Sequence, residues 1–247
     1  MVPRGTDGRG GAQRRYARIV APVAYVQRVT IQTALRDAVR DVLAPQARAH
    51  GFKGSGRTWR RTNELGDCAI VNLQGSSYSS ASSARYVINL SVVPEPWAAS
   101  MAMTLGRRPK ALPESWGLYK RRLHPTGTPA DTDQWWRADR PRAVEPVVAD
   151  MVRRLDADGW PTLEKLLDRE AMVEQARAGD LGFVTREHAP GYVATGLAVL
   201  LSDYGTSDEL DEQLDLMLAT STTRALEHAR ELVAWIRARA ASRDAST

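Results

Sequence analysis

The 247-residue sequence holds one cysteine, two phenylalanines and four lysines. A single thiol, Cys68, excludes a disulfide within the chain and points to a reducing compartment, the cytoplasm. Cys68 opens an apolar run with no histidine or basic cluster beside it in sequence. It therefore reads as a small buried hydrophobe rather than a reactive thiol. The longest apolar stretch, about nine residues around Val199, is far short of the ~20 that a membrane span needs. The four histidines, His50, His124, His188 and His228, are scattered without zinc-ligand spacing, so no metal is expected. No Gly-x-Ser-x-Gly elbow and no dinucleotide fingerprint is present, so no cofactor is expected either. Acidic pairs for glycoside chemistry assemble only in three dimensions, and sequence leaves them open.

What is present is charge, unevenly placed. The net charge is +5, and residues 1–28, with six Arg and one Asp, account for all of it. The remainder is neutral overall but divided: residues 53–140 carry a net +6 and residues 141–247 a net −7. The high isoelectric point is thus a property of the tail and argues little for nucleic-acid binding by the folded body. Arginine outnumbers lysine 30 to 4, which together with abundant alanine points to GC-rich coding. Residues 1–28 are expected to form a basic disordered tail. Arg14-Arg15 and the apolar residues after them resemble a twin-arginine export signal, but Pro22 breaks the stretch and no small-residue cleavage site follows.

Residues 30–50 read as a helix, with Ile31, Leu35, Val39, Val42 and Leu43 on one face, a kink or restart at Pro45 and a stop at Gly51. GFKGSGRTWRR reads as a Gly-rich turn entering an extended stretch. Residues 68–74 and 85–93 read as an antiparallel strand pair joined by a Ser/Gly loop. Pro94 and Pro96 close the second. Residues 116–124 and 132–138 read as two more strands. A helix then carries Val144, Val147, Val148, Met151, Val152 and Leu155 and is expected to end at Asp158-Gly159. Further helices carry Leu163, Leu166 and Leu167, then span 190–204, 207–219 and 223–240, with Thr206 and Glu209 as a capping box for the middle one. Strands early and helices late give an α+β fold: a four- to five-stranded antiparallel sheet covered by helices, over residues 29–175, with an all-helical extension over 176–247.

The ordered set GFKGSGRTWRR, CAIVNLQGSSYSS, RYVINLSVV, YKRRLHPTG…TDQWWRA and DGWPTLEKLL resembles the bacterial domain-of-unknown-function family DUF4304, over residues 30–175. Tyr86 stands where the family tends to have Phe, and Ser91 where Gly is common. The resemblance implies the architecture and brings no catalytic residue, cofactor or substrate.

Several groups could form a binding surface. Strand alternation puts Asn72 and Gln74 on one face and Asn89 on the corresponding face of its neighbour. With Ser76 they could line a polar groove, or form a solvent face or a satisfied network that pins register. Arg57, Arg60, Arg61, Arg121 and Arg122 could converge on a carboxylate or phosphate. Alternatively they pair with Asp208, Glu209, Asp211 and Glu212. The turn GFKGSGR lies between helix and strand, the reverse of a phosphate loop, and reads as a turn. Of Trp135 and Trp136, adjacent on a strand, one should be core and the other more exposed. With Trp59, an exposed Trp beside Arg would anchor an interface.

The leading expectation is a cytoplasmic, non-catalytic binding or interaction module. Its open sheet face would present Arg57, Trp59, Asn72, Gln74, Ser76, Asn89, Arg121, Arg122, His124, Trp135 and Trp136 to a protein or an anionic small molecule. A second reading is an enzyme on an anionic small molecule, with Arg57, Arg121 and Arg122 as clamps and His124 as acid/base. Three or more Arg converging with His124 in one pocket would favour it. A third is nucleic-acid binding through the tail. Self-association is also open.

Overall fold

The first helical turn begins where sequence places it: Thr30 accepts a hydrogen bond from the Thr33 N–H at 3.1 Å, which satisfies an otherwise unpaired donor. In the computed structural model, which describes residues 29–80, 82–129 and 132–245, α1 spans Ile31–Ala38 and α2 spans Ala44–Ala49. A π-helical turn, Val39–Leu43, joins them. Its cause is Pro45. Proline has no N–H and its ring crowds the carbonyl four residues back. Here Ala44 N–H reaches back five residues to the Val39 carbonyl, widening the turn just before the ring. Val42, expected on the buried face, is instead 41% exposed; the buried stripe is Ile31, Leu35, Val39, Leu43 and Ala47. Residues 1–28, on which the tail, export and nucleic-acid expectations fall, lie outside the described residues.

The Gly-rich turn is itself a hairpin. β1 (Lys53–Ser55) and β2 (Thr58–Thr62) pair antiparallel around Gly56-Arg57, with Gly56 at φ +68. β3 (Cys68–Gly75) and β4 (Ala84–Val93) form the long central pair, in a register that sets Asn72 opposite Asn89 and Gln74 opposite Val87. β5 (Tyr119–Leu123) and β6 (Trp136–Ala138) both pair with β4, at different heights. Only Trp136–Ala138 of the stretch expected over 132–138 is strand. The result is an antiparallel six-stranded sheet in the order β1-β2-β3-β4-β5, with β6 also on β4. The fold is α+β.

Opposed residues share a face. One face carries Ala69–Val92, Val71–Leu90 and Leu73–Ile88, with Trp59 and Leu123 beside them, and all are buried. α4 (Val144–Arg154) packs on α1, and α5 (Trp160–Leu166) lies on β3 and β4. Between them a second π-helical turn, Leu155–Gly159, precedes Pro161, and Trp160 N–H donates to the Leu155 carbonyl. The helix expected to stop at Asp158-Gly159 therefore runs on through a widened turn. Gly159 is needed for packing: a Cβ there would lie 2.8 Å from Leu155 and 3.2 Å from Leu123.

On the other face the 3-10 turn Glu114–Trp116 crosses β3 and β4 at the Cys68–Val93 end, where Ser91 Oγ donates to the Glu114 carbonyl at 3.0 Å; toward the far end Asn89 and Val87 are still buried but Gln74 is exposed. Cys68 is buried, and burial pushes its thiol pKa up. Pro94 and Pro96 do close β4, but they also open α3 (Glu95–Leu105), a helix that the sequence reading missed. α6 (Arg169–Arg177), α7 (Pro190–Leu201), α8 (Asp208–Ala219) and α9 (Leu226–Asp244) complete the chain. α7 packs on α3, α6 and α8, and one buried cluster runs from Ile31 to Ala240. The N-cap of α8 is Ser207, not Thr206. Thr206 instead bonds the Asp244 carboxylate, and Glu209 pairs with Arg177.

Candidate functional site

The open end of the second sheet face gathers the amides. Asn72 Nδ2 donates to Thr58 Oγ1 at 2.8 Å, and Asn89 Nδ2 donates to Gln74 Oε1 at 2.8 Å. Arg122 Nε donates to Asn89 Oδ1 at 3.1 Å, and its Nη1 reaches both oxygens of Asp133, each at 3.1 Å. Trp135 Nε1 donates to Asp133 Oδ2 at 3.2 Å. Side chains from β2, β3, β4 and β5 thus satisfy one another in a single line. Burial works against the Asp133 charge, but the bonds from Trp135 and Arg122 hold its pKa below the ordinary value. The Arg122 guanidinium stacks near two rings, 5.5 Å from the centroid of Trp135 and 5.6 Å from that of Phe183, a placement that favours a cation.

Ser76 lies in the following loop, where its hydroxyl accepts the Tyr78 N–H, and takes no part in this line. Trp59 is 2% exposed and cannot contact a partner. Trp136 is buried and Trp135 half-buried. Trp136 Nε1 donates to Asp150 Oδ2 at 2.7 Å.

The arginines divide. Arg60 bonds the Leu112 carbonyl, and Arg61 bonds the His50 carbonyl and approaches Glu164 at 3.5 Å. Arg57 is on β1–β2's turn, three strands and so about 14 Å of sheet from β5. It does not join Arg121 and Arg122. Nor do the strand arginines pair with the acidic α8: Glu209 takes Arg177 and Asp211 takes Arg237, because α8 docks on α7 and α9, away from the sheet.

Arg121, Arg122 and His124 do converge, and Arg154 joins them. They line a cleft of about 540 Å³ at the outer end of β5, walled by the Pro125–Pro129 loop and by Asp180, Gly182 and Phe183. The second wall runs beside β5, where Lys120 N–H donates to the Leu181 carbonyl and Phe183 N–H donates to the Lys120 carbonyl. Gly182 allows this closeness: at φ +85, its Cβ would overlap the Lys120 carbonyl. The other wall is anchored by Asp150, which accepts from Thr126 N at 3.0 Å, Thr126 Oγ1 at 2.5 Å and Arg153 at 2.9 Å. His124 Nδ1 lies 2.8 Å from the Gln134 carbonyl. A carbonyl can only accept, so Nδ1 carries the proton, and in the neutral ring the lone pair is on Nε2. Arg154 holds the His124 carbonyl at 3.2 Å and Asp158 at 2.7 Å. Arg121 is exposed and forms no ion pair among the described residues; it hydrogen-bonds the Tyr119 side chain.

A second polar cluster was invisible in sequence. Asp67 and Arg169, both buried, pair through Arg169 Nε at 3.0 Å and Nη2, while Arg169 Nη1 reaches Asp203 at 2.5 Å. Asp67 Oδ1 also accepts the Glu95 N–H at 2.7 Å, at the start of α3. Asp203 takes Arg239 at 2.8 Å and Arg243 at 3.1 Å, and Arg239 continues to Glu95 at 2.9 Å. This network ties β3, α3, α6, the end of α7 and α9. Its members are up to 176 residues apart, so no local pattern announces it.

Among the described residues, no group of His, Cys, Asp and Glu could hold a metal, and no helix is long and apolar enough to cross a membrane. Neither a curated protein nor a solved structure matches the chain. A family model does, over residues 43–165, inside the segment that carries the sequence motifs. Through that segment the chain belongs to the family described as Domain of unknown function (DUF4304).

Proposed function

We propose that the protein is a cytoplasmic binding module for an anionic small molecule, held in the cleft at the end of β5. One observation carries the reading: Arg121, Arg122 and Arg154 line one cleft with His124. Arg121, which forms no ion pair among the described residues, is the group free to take a carboxylate or phosphate through its planar fork. This ranks above docking on the sheet face, since Asn72, Gln74 and Asn89 already bond one another and their neighbours. The Phe183 ring beside Arg122 supplies an apolar lip for the body of the ligand. Native mass spectrometry on protein purified from its host tests this. A co-purifying anion near one per chain is expected, lost in Arg121→Gln/Arg154→Gln. An anion retained equally by that variant, or none in the wild type, overturns the reading.

A second reading is favoured by the same convergence of three arginines with His124: catalysis on that anion, with His124 Nε2 as base. His124→Gln would then abolish turnover of the co-purified compound and leave its binding intact. Unchanged turnover sinks it.

A further inference from the structure

At the opposite end of the sheet lies another cavity, of about 560 Å³, within the size range of small-molecule sites. One wall is the α1–α2 helix and the other is the tip of the β1–β2 hairpin. The floor is apolar, made by the buried Leu35, Val39 and Ala44. Around it stand Arg36, Arg40, Arg48 and Arg57, and among the described residues no carboxylate is one of the lining side chains. Arg36 and Arg40 project one helical turn apart above Leu35 and Val39. The hairpin wall is nearly bare backbone. A Cβ on Gly54 would overlap the Thr58 carbonyl oxygen, so this wall stays thin and a ligand can approach it closely.

The arginines are not equivalent. Arg40 is held by Asp41 at 2.7 Å and Asp37 at 3.0 Å, and Arg36 lies 3.9 Å from Asp37. Arg48 and Arg57 form no ion pair among the described residues. Arg57 is nonetheless in place before any ligand arrives. Its guanidinium sits 5.4 Å from the Tyr86 ring centroid, and the Tyr86 hydroxyl donates to Gln32 Oε1 at 2.9 Å. Gln32 itself lines the cavity. A cation fixed by a ring that is fixed by a wall residue is a preorganised anion receptor.

We infer that this cavity binds a small amphipathic anion, an apolar body carrying one carboxylate or phosphate, the body on Leu35, Val39 and Ala44 and the charge between Arg48 and Arg57. Charge complementarity selects an anion for this arginine rim. The apolar floor selects an amphipathic one over an inorganic ion. The site shares no residue with the β5 cleft, so either can fail without the other.

Isothermal titration of the full chain with octanoate and with octyl phosphate, below their micelle concentrations, tests the inference. 1-Octanol and inorganic phosphate are the controls for body and charge alone. Saturable binding of at least one octyl anion near one per chain is expected, with both controls about tenfold weaker or worse, the worth of one charged contact. Arg48→Gln/Arg57→Gln should weaken the anion about tenfold, and Ser55→Trp, on the exposed hairpin tip, should block it. Arg121→Gln should leave it unchanged. Equal affinity for 1-octanol, unchanged affinity in the arginine variant, or no saturable binding of either octyl anion overturns the inference. The two octyl anions together distinguish a carboxylate from a phosphate ligand.

Discussion

Asn89 stands where side chains from β3 and β5 meet, and it is 4% exposed. It donates to Gln74 and accepts from Arg122. Asn89→Leu leaves the Arg122 Nε and the Gln74 carbonyl without their partner. Unpaired groups of this kind cost about 1–3 kcal/mol each, so the urea midpoint should fall by an amount equivalent to about 2 kcal/mol with the slope unchanged. Gln74→Ala, at an exposed end of the same line, leaves the Asn89 Nδ2 only its longer bond to Asn72 Oδ1 at 3.5 Å and should cost less, about 1 kcal/mol. Equal losses in the two variants would show that the line is not centred on Asn89. Alternation along each strand was enough to put Asn72, Gln74 and Asn89 on corresponding faces from the sequence. That they satisfy one another depends on register, Asn72 opposite Asn89, and the Ser-rich connection from Ser76 to Ser83 does not encode that.

Among the elements, the two π-helical turns have one cause. Ala44 and Trp160 each precede a proline and each donate back five residues. Sequence marked both places as breaks, at Pro45 and at Asp158-Gly159, and a regular α-helix cannot carry a proline in its interior without losing a bond. The chain instead widens one turn and continues, an outcome favoured by burial of the flanking residues. α3 was hidden for a related reason. Pro94-Glu95-Pro96 read as the end of β4, although proline is also favoured in a first helical turn, and Gly106 at φ +67 supplies the matching stop. Helix contacts also rest on missing side chains. In α7, a Cβ on Gly196 would lie 2.6 Å from Leu118 Cδ1, and Leu118 is fully buried. Gly196→Ala gains helix propensity but overpacks this junction. We expect a net loss of about 1–3 kcal/mol by chemical denaturation. A stabilised variant would show that α7 can retreat from the sheet.

Across the whole molecule, Arg169 is the shared partner of Asp67 and Asp203. Arg169→Met leaves a buried carboxylate uncompensated, for which the loss is about 3–5 kcal/mol. Differential scanning calorimetry should show it as a lower midpoint. The same network sets the acid limb of stability. Burial alone would raise the Asp203 pKa, but hydrogen bonds from Arg239 and Arg169 hold it below 3.8. Asp150 behaves alike: burial is outweighed by bonds from Thr126, Trp136 and Arg153. A carboxylate with a depressed folded pKa contributes stability above its unfolded pKa and loses it as pH falls through the folded one. Stability should therefore be level above pH ~5 and decline below 3.8, where the unfolded carboxylates protonate first. Asp203→Asn should flatten that decline and lower the plateau. The α+β arrangement was legible because it follows from local periodicity; these ion pairs were not, because contacts such as Asp67–Arg169 join residues 102 apart.

Arg239 and Arg243 lie on the last helix, yet they complete the coordination of Asp203, which in turn steadies the guanidinium that neutralises Asp67. During synthesis Asp67 emerges from the ribosome long before any of them. A nascent chain halted at Arg177 would have its sheet, its early helices and one arginine for that carboxylate, but nothing to orient the arginine from its far side. Closure of the sheet's acidic corner therefore waits for α9, and proteolysis of nascent chains of increasing length should register it as a single gain in resistance once α9 is free.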